Sequence, residues 1–181
     1  FLLDAFGVLN VGDTAISGAA QRAQMLKDMG KDILVLTNGA CFPAEQALKK
    51  FLSFGVPLEL ADIVSSRAAL AVAIPPLPDS GFWGVMSTQN SHVETLGIPW
   101  KRLENDMSIY DAASGFILLS TLEWTEAQQM LLQESLAKVA RPILVGNPDI
   151  VAPRGRYLSL EPGYYGHKHG SELKIQAEFF G

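Results

Sequence analysis

The sequence predicts an α/β protein: a Rossmann-like, doubly wound parallel sheet followed by a second, smaller α/β unit. Three observations carry that expectation. Apolar runs of strand length alternate with amphipathic segments of helix length, which is how parallel strands covered on both faces read. Gly and Pro fall between those segments. One stretch, Pro75-Pro76-Leu77-Pro78-Asp79-Ser80-Gly81, is dense in proline and marks a stiff connection between two blocks of the alternation.

Residues 1–3 form a short apolar run that ends in Asp4 and reads as a strand already under way. Gly7, Gly12 and Gly18 then place a polar loop, too irregular for helix or strand. From Ala19, the residues Ala23, Leu26 and Met29 recur at helical spacing until Gly30, a good residue to follow a helix, and residues 33–36 form the next strand. Thr37-Asn38-Gly39 leads into a second helix over 43–54, with Pro43 in its first turn and Gly55 at its end. Ile63-Val64 is a third strand, and an Ala-rich helix follows to Ile74. Beyond the proline-rich stretch, strands are expected over 82–86, 115–119 and 142–145, with helices near 92–96 and 125–139. No internal repeat or low-complexity segment interrupts this grammar.

A chain of 181 residues accommodates one large domain or two small ones, and 48% hydrophobic against 18% charged residues excludes a disordered chain. Lys and Arg number 14 against 19 Asp and Glu, with no basic block, so a phosphate-backbone footprint is not expected and nucleic acid is not a partner. The longest apolar runs, 33–36 and 68–74, fall far short of the ~20 residues that cross a bilayer, so no membrane partner is expected either. Cys41 is the single cysteine, which rules out an internal disulfide and points to a reducing, cytoplasmic location. Phe1 is not an initiator Met and no basic segment precedes it, so a leader before the first residue is expected.

The chemistry concentrates at two strand ends. Asp4-Ala5-Phe6-Gly7-Val8-Leu9 puts a carboxylate at the carboxyl end of the first parallel strand, where open α/β sheets bind ligands. Asp also starts ordinary turns. Leu36-Thr37-Asn38-Gly39 puts a hydroxyl and an amide at the end of the second strand, with Gly39 allowing close backbone approach to an anion. Thr, Asn and Gly are equally common in plain strand-to-helix turns. In the second unit, Asn147-Pro148-Asp149 ends a strand with polar groups, and residues 161–166 repeat the pattern before a helix; such turns face a substrate or are merely turns.

Taken in order, Asp4 with Gly7-Val8-Leu9, Gly12, Ile16-Ser17-Gly18-Ala19, Gly30-Lys31, Leu36-Thr37-Asn38, Phe54-Gly55-Val56 and Asn147-Pro148-Asp149 resemble the haloacid dehalogenase-like superfamily. The branch they resemble is class IIA, the p-nitrophenyl-phosphatase-like one. The resemblance implies a Mg²⁺-dependent phosphohydrolase acting on a small phosphorylated metabolite. Asp4 would be the nucleophile that forms an aspartyl-phosphate and would bind Mg²⁺ together with the Phe6 backbone carbonyl. Thr37, Asn38 and Gly39 would hold the phosphate, with Asn147 and Asp149 contributing from the cap. The 32 residues between Asp4 and Thr37 are consumed by loop, helix and strand, leaving no room there for a cap. The resemblance therefore implies a C2-type α/β cap at 77–177, inserted in a core of 1–76 that the chain rejoins through a return strand near 178–181. The family's Lys and acidic metal loop are expected beyond Gly181, and Lys168 and Lys174 are read as surface residues.

One departure keeps other functions open. Phosphatases of this family carry a second Asp two residues after the nucleophile to protonate the leaving group, and that position is Phe6. The alternatives are a hydrolase whose leaving group needs no proton, such as a dehalogenase or a phosphonate or acyl-phosphate hydrolase, and a non-catalytic phosphometabolite-binding protein. The hexapeptide also looks like the Asp-Ala-Tyr-Gly-Thr of 2-haloacid dehalogenases, but their cap lies between the first two motifs. A homodimer is left open. His167 and His169 are read as solvated, Cys41 as a packed thiol, and Trp83, Trp100 and Trp124 as core residues.

Overall fold

The computed structural model describes residues 1–78, 80–154 and 157–181; Asp79, within the expected connection, lies outside them. In chain order the elements are β1 (Leu2–Asp4), β2 (Asn10–Val11), β3 (Thr14–Ala15), α1 (Ala19–Asp28), β4 (Leu34–Thr37), α2 (Ala44–Ser53), β5 (Ile63–Ser65) and α3 (Ser66–Ala73). After the proline-rich stretch come β6 (Trp83–Met86), β7 (Trp100–Arg102), α4 (Met107–Ala112), β8 (Gly115–Leu118), α5 (Glu126–Lys138) and β9 (Ile143–Val145). The antiparallel pair β10 (Val151–Arg154) and β11 (Tyr157–Leu160), then α6 (Pro162–Leu173) and β12 (Ala177–Phe179), complete the order.

Local chemistry explains the boundaries. Gly30 ends α1 at φ 68°, a left-handed conformation in which its N–H donates to Lys27 and the Lys31 N–H reaches back to Leu26. Pro43 stands one residue before α2, as its N-cap. Thr125 and Gln128 form a reciprocal capping box that starts α5. The loop after β1 is more ordered than its glycines suggest, because Asn10 and Val11 pair with Ala15 and Thr14 and the Asn10 side chain donates to the Gly12 carbonyl across the turn.

The first sheet has the order β1-β4-β5, all parallel, with Asp4 opposite Leu36 and Thr37 opposite Ser65. Leu3, Val35 and Ile63 face inward and pack against Ala23 of α1, Phe51 of α2 and Val56. The alternate residues Leu2, Leu34, Leu36 and Val64 form a stripe that is exposed among the described residues. The second sheet has the order β12-β9-β8-β6-β7, again all parallel. One of its faces, with Met86, Phe116, Leu118 and Val145, lies under α4, α5 and α6. The other, with Val85, Ile117 and Leu144, packs on Ala40 and on Leu70 of α3, which joins the two sheets through an apolar core.

The strand expected to return to the first sheet near 178–181 does not do so. β12 pairs with β9, Phe179 opposite Val145, and the Phe180 N–H donates to the Val145 carbonyl at 3.0 Å. The chain between β9 and β12 crosses over through α6, which packs on both strands and sets β12 down beside β9. β7 has no counterpart in the sequence reading because Trp100-Lys101-Arg102 is an edge strand, polar on one side, with no continuous apolar run.

Candidate active site

The register of β1 and β4 sets the geometry. Asp4 is the last residue of β1, and its partner Leu36 immediately precedes Thr37, so carboxylate and hydroxyl stand at the carboxyl edge of adjacent parallel strands. The Asp4 carboxylate is exposed and has no hydrogen-bond partner among the described residues. The turn behind it is tightly tied. Leu9 and Asn10 donate to the Ala5 carbonyl at 2.9 and 3.1 Å, and Gly7 donates to Asn10 at 2.8 Å, around the buried Leu9 side chain. Among the described residues no donor is paired with the Phe6 carbonyl, while the Phe6 ring is half-buried.

The Thr37 hydroxyl accepts the Gly39 N–H at 3.1 Å, which leaves its own proton free to donate. Gly39 thus orients Thr37. The Asn38 amide donates to Asp149 at 2.9 Å and so connects the end of β4 to the loop after β9. Asp149 is fixed in turn by its N–H, which donates to Asn147 Oδ1 at 3.0 Å. Asn147 itself is 8% exposed and its amide donates to Glu161 at 3.3 Å, so it supports Asp149 from behind. Glu161 also accepts from Arg154 at 3.1 Å and from Ser159 at 2.7 Å. The turn expected over 161–166 is in fact the start of α6, with Glu161 as its buried N-cap and Pro162 in the first turn, where the missing N–H is no loss. A Cβ on Gly181 would fall 2.6 Å from Asn38 Oδ1, so that residue rests directly against the site.

Arg67, which the sequence reading passed over, is 3% exposed and spans the same junction. Its guanidinium donates to the carbonyls of Ala40 (3.0 Å) and Cys41 (3.3 Å) on one side, and to His92 (2.8 Å) and Thr95 (3.1 Å) on the other. Burial lowers its pKa. A lone charge in the Ala-rich segment after Ser65-Ser66 was the available signal. The Cys41 thiol lies half-buried near Thr88 and Ser91, at 3.8 and 3.6 Å. His169 is not solvated. It is fully buried in the middle of α6, and its Nε2 lies 3.2 Å from the Gln129 amide because that helix packs on α5. Trp83 is a core residue as expected. Among the described residues no three His, Cys, Asp or Glu side chains gather as a metal cluster, and no helix is long and apolar enough to cross a membrane.

Known proteins resemble this chain in sequence and in fold. The family model described as haloacid dehalogenase-like hydrolase matches residues 1–97, more than half of the chain. Phosphoglycolate phosphatase 2 from Arabidopsis thaliana is 36% identical over 73 residues, which cover 40% of this chain and 24% of that protein. A structure from Cytophaga hutchinsonii, described as a possible sugar phosphatase, superposes with a TM-score of 0.84 at 24% identity and covers 99% of this chain. The glycerol phosphate phosphatase of Mycobacterium tuberculosis, solved with magnesium, gives a TM-score of 0.72 at 17% identity and also covers 99% of this chain. This chain spans 66% of the Cytophaga protein and 53% of the mycobacterial one.

Proposed function

The chain belongs to the haloacid dehalogenase-like hydrolase family, and from that premise we propose that it is a class IIA member acting as a Mg²⁺-dependent phosphohydrolase of a small phosphorylated metabolite. Residues 1–76 carry the chemistry, and the unit that begins at residue 77, with β12 in its sheet, is the cap. The observation that carries this reading is the β1–β4 register, which sets Asp4 beside Thr37, together with the Asn38–Asp149 hydrogen bond that brings the second unit to the same edge. The relatives named for phosphoglycolate, sugar and glycerol phosphate substrates support the substrate class. The single Cys41 supports a reducing, cytoplasmic setting.

In this reading an Asp4 carboxylate oxygen attacks phosphorus, and the bond to the leaving oxygen breaks with its electron pair departing on that oxygen. Water then attacks the aspartyl-phosphate and releases inorganic phosphate and the free carboxylate. The Thr37 hydroxyl donates to a phosphoryl oxygen, and Asn38, held by Asp149, keeps the loop in place. The Asp4 carboxylate and the Phe6 carbonyl, with which no donor among the described residues pairs, are hard oxygen donors that fit Mg²⁺, an ion commonly held by one or two carboxylates with substrate oxygens and water. When bound, the ion neutralises charge between a phosphoryl dianion and a carboxylate. Asp4→Asn should abolish hydrolysis of aryl phosphates while phosphate still binds, and Thr37→Val should weaken phosphate binding by roughly tenfold, the loss of one charge-assisted donor. Turnover by Asp4→Asn at the wild-type rate would remove Asp4 from this role.

A second reading rests on Phe6. A half-buried ring stands where a general acid is expected, so a substrate whose leaving group needs no proton, an acyl phosphate or phosphonate, suits the site better than an alkyl ester.

A further inference from the structure

Glu161 is a buried carboxylate whose side chain takes no part in the helix it begins. It stands as the N-cap residue of α6, yet its side chain accepts from no backbone N–H of that helix. Ser, Thr, Asp and Asn are the common choices for that task. It is also only 4% exposed, and a carboxylate taken out of water is costly unless its oxygens are well bonded. Here Oε1 accepts from the Ser159 hydroxyl at 2.7 Å and from Arg154 Nη2 at 3.1 Å, and Oε2 accepts from the Asn147 amide at 3.3 Å. Ser159 and Arg154 lie on one face of the β10–β11 ribbon, so the first two bonds fix that ribbon. The third leads to the candidate active site.

The Asp149 N–H can only donate, so the Asn147 atom 3.0 Å from it is Oδ1, and Nδ2 is turned to Glu161. An ionised carboxylate accepts at both oxygens and holds the amide in that orientation alone. Asp149, fixed by Asn147, accepts the Asn38 amide at 2.9 Å. Every donor along this path points toward Glu161: Asn38 to Asp149, Asp149 to Asn147, Asn147 to Glu161. Such a chain is directional, and bonds aligned in one direction strengthen each other. We infer that Glu161 is a positioning residue that sets the orientation of Asn38 through Asn147 and Asp149 and so shapes the phosphate-holding end of β4, the last step resting on the phosphatase reading of that edge. Glu161→Gln breaks the direction of the chain with almost no change of shape. The charge-assisted bond from Arg154 makes the stronger claim on the one remaining oxygen, so the new NH2 faces the Asn147 NH2, donor against donor. Asn147 then swings away, or turns over and presents Nδ2 to the Asp149 N–H.

The test follows the side-chain NH2 of Asn38 by heteronuclear NMR of the full chain, assigned by its loss in Asn38→Ala, with titration of inorganic phosphate beside it. In Glu161→Gln the Asn38 signals should shift toward those of a solvated amide, with proton exchange faster by roughly tenfold, and phosphate affinity should fall roughly three- to tenfold. KM for an aryl phosphate should rise by a similar factor with kcat nearly unchanged, since Asp4 lies on another strand. Adding Asn147→Asp to Glu161→Gln supplies a carboxylate that accepts both the new NH2 and the Asp149 N–H, and should restore the Asn38 signals. A carboxylate needed only for folding would not be rescued in that way. If Glu161→Gln does not fold, Asn147→Ala interrupts the same chain one bond later and should give the same losses. Asn38 signals unmoved by the variant, no recovery in the double variant, or phosphate affinity that responds to Thr37→Val but not to Glu161→Gln would overturn the inference. Phosphate affinity unmoved by Thr37→Val as well would count against the phosphatase reading, while the Asn38 signals still decide whether Glu161 orients that residue.

Discussion

Gly163→Ala adds one methyl group at a place where only backbone can yield. Gly163 is buried in the first turn of α6, and a Cβ there would lie 2.1 Å from the Pro148 carbonyl oxygen, 2.5 Å from the Pro148 carbonyl carbon and 2.6 Å from the Asp149 carbonyl oxygen. Carbon and carbonyl oxygen approach no closer than ~3.3 Å even in favourable contacts, so the turn must retreat by about 1 Å. Overpacking of this kind costs about 1 to 3 kcal/mol, and the upper end applies because no side-chain rotation relieves it. For a chain of this length about 3 kcal/mol corresponds to a fall of roughly 6 to 12 °C in melting temperature. The same helix supplies the control. At Gly170 a Cβ would meet the Ile175 carbonyl at 3.4 Å, an ordinary contact, and Gly→Ala inside a helix stabilises by about 0.5 to 1 kcal/mol. The assay is thermal and urea unfolding of the three proteins side by side, with phosphate titration added. Because the retreating turn carries Asp149 away from Asn38, phosphate affinity should fall in Gly163→Ala and hold in Gly170→Ala. Equal stability of Gly163→Ala and the wild type, or matching losses in both variants, would refute the packing argument.

Three further outcomes are expected. His169 is buried neutral, and burial, followed by the nearby Lys168 charge, pushes its pKa down to about 4. The unfolded chain, titrating near 6.5, takes up a proton first as pH falls, so stability present above pH ~6.5 is lost between ~6.5 and ~4, by up to roughly 3 kcal/mol. His169→Gln should flatten that part of a urea-unfolding pH profile, and an unchanged slope would contradict the assignment. Arg67→Met removes the donor shared by Ala40, Cys41, His92 and Thr95, and should cost about 2 to 4 kcal/mol while raising proteolysis in the proline-rich stretch; stability within ~0.5 kcal/mol of wild type would contradict it. With Phe6 in place of a general acid, hydrolysis should favour aryl, acyl and anhydride phosphates over alkyl ones by about 10²- to 10⁴-fold, and Phe6→Asp should narrow the gap. A flat dependence on the leaving group in the wild type would mean that another acid serves.

The elements legible in the sequence are those whose burial is written in contiguous residues. β4 and β9 are short apolar runs, α2 is amphipathic between Pro43 and Gly55, and Asp4 and Thr37 sit at strand ends fixed by local pattern. What escaped depends on pairing across distance. β7 is an edge strand with a charged middle, and β12 joins the second sheet because α6 sets it beside β9, which no local pattern records. The same holds at the site. Asn38 and Asp149 are 111 residues apart and Arg67 lies 25 residues from His92, so neither contact has a spacing signature. His169 reads as solvated because histidines two apart at a helix start point in different directions and no carboxylate motif accompanies them, and only the packing of α6 on α5 buries it. The stripe of Leu2, Leu34, Leu36 and Val64 is apolar and exposed among the described residues.

Trapping the covalent intermediate reports on whether Asp4 is the nucleophile. The protein would be mixed with Mg²⁺ and an aryl phosphate, quenched in acid within the first turnovers, digested, and its peptides weighed. One phosphoryl group is expected on the peptide that holds Asp4, and none in Asp4→Asn. Turnover without that label, or the label on another residue, would contradict it.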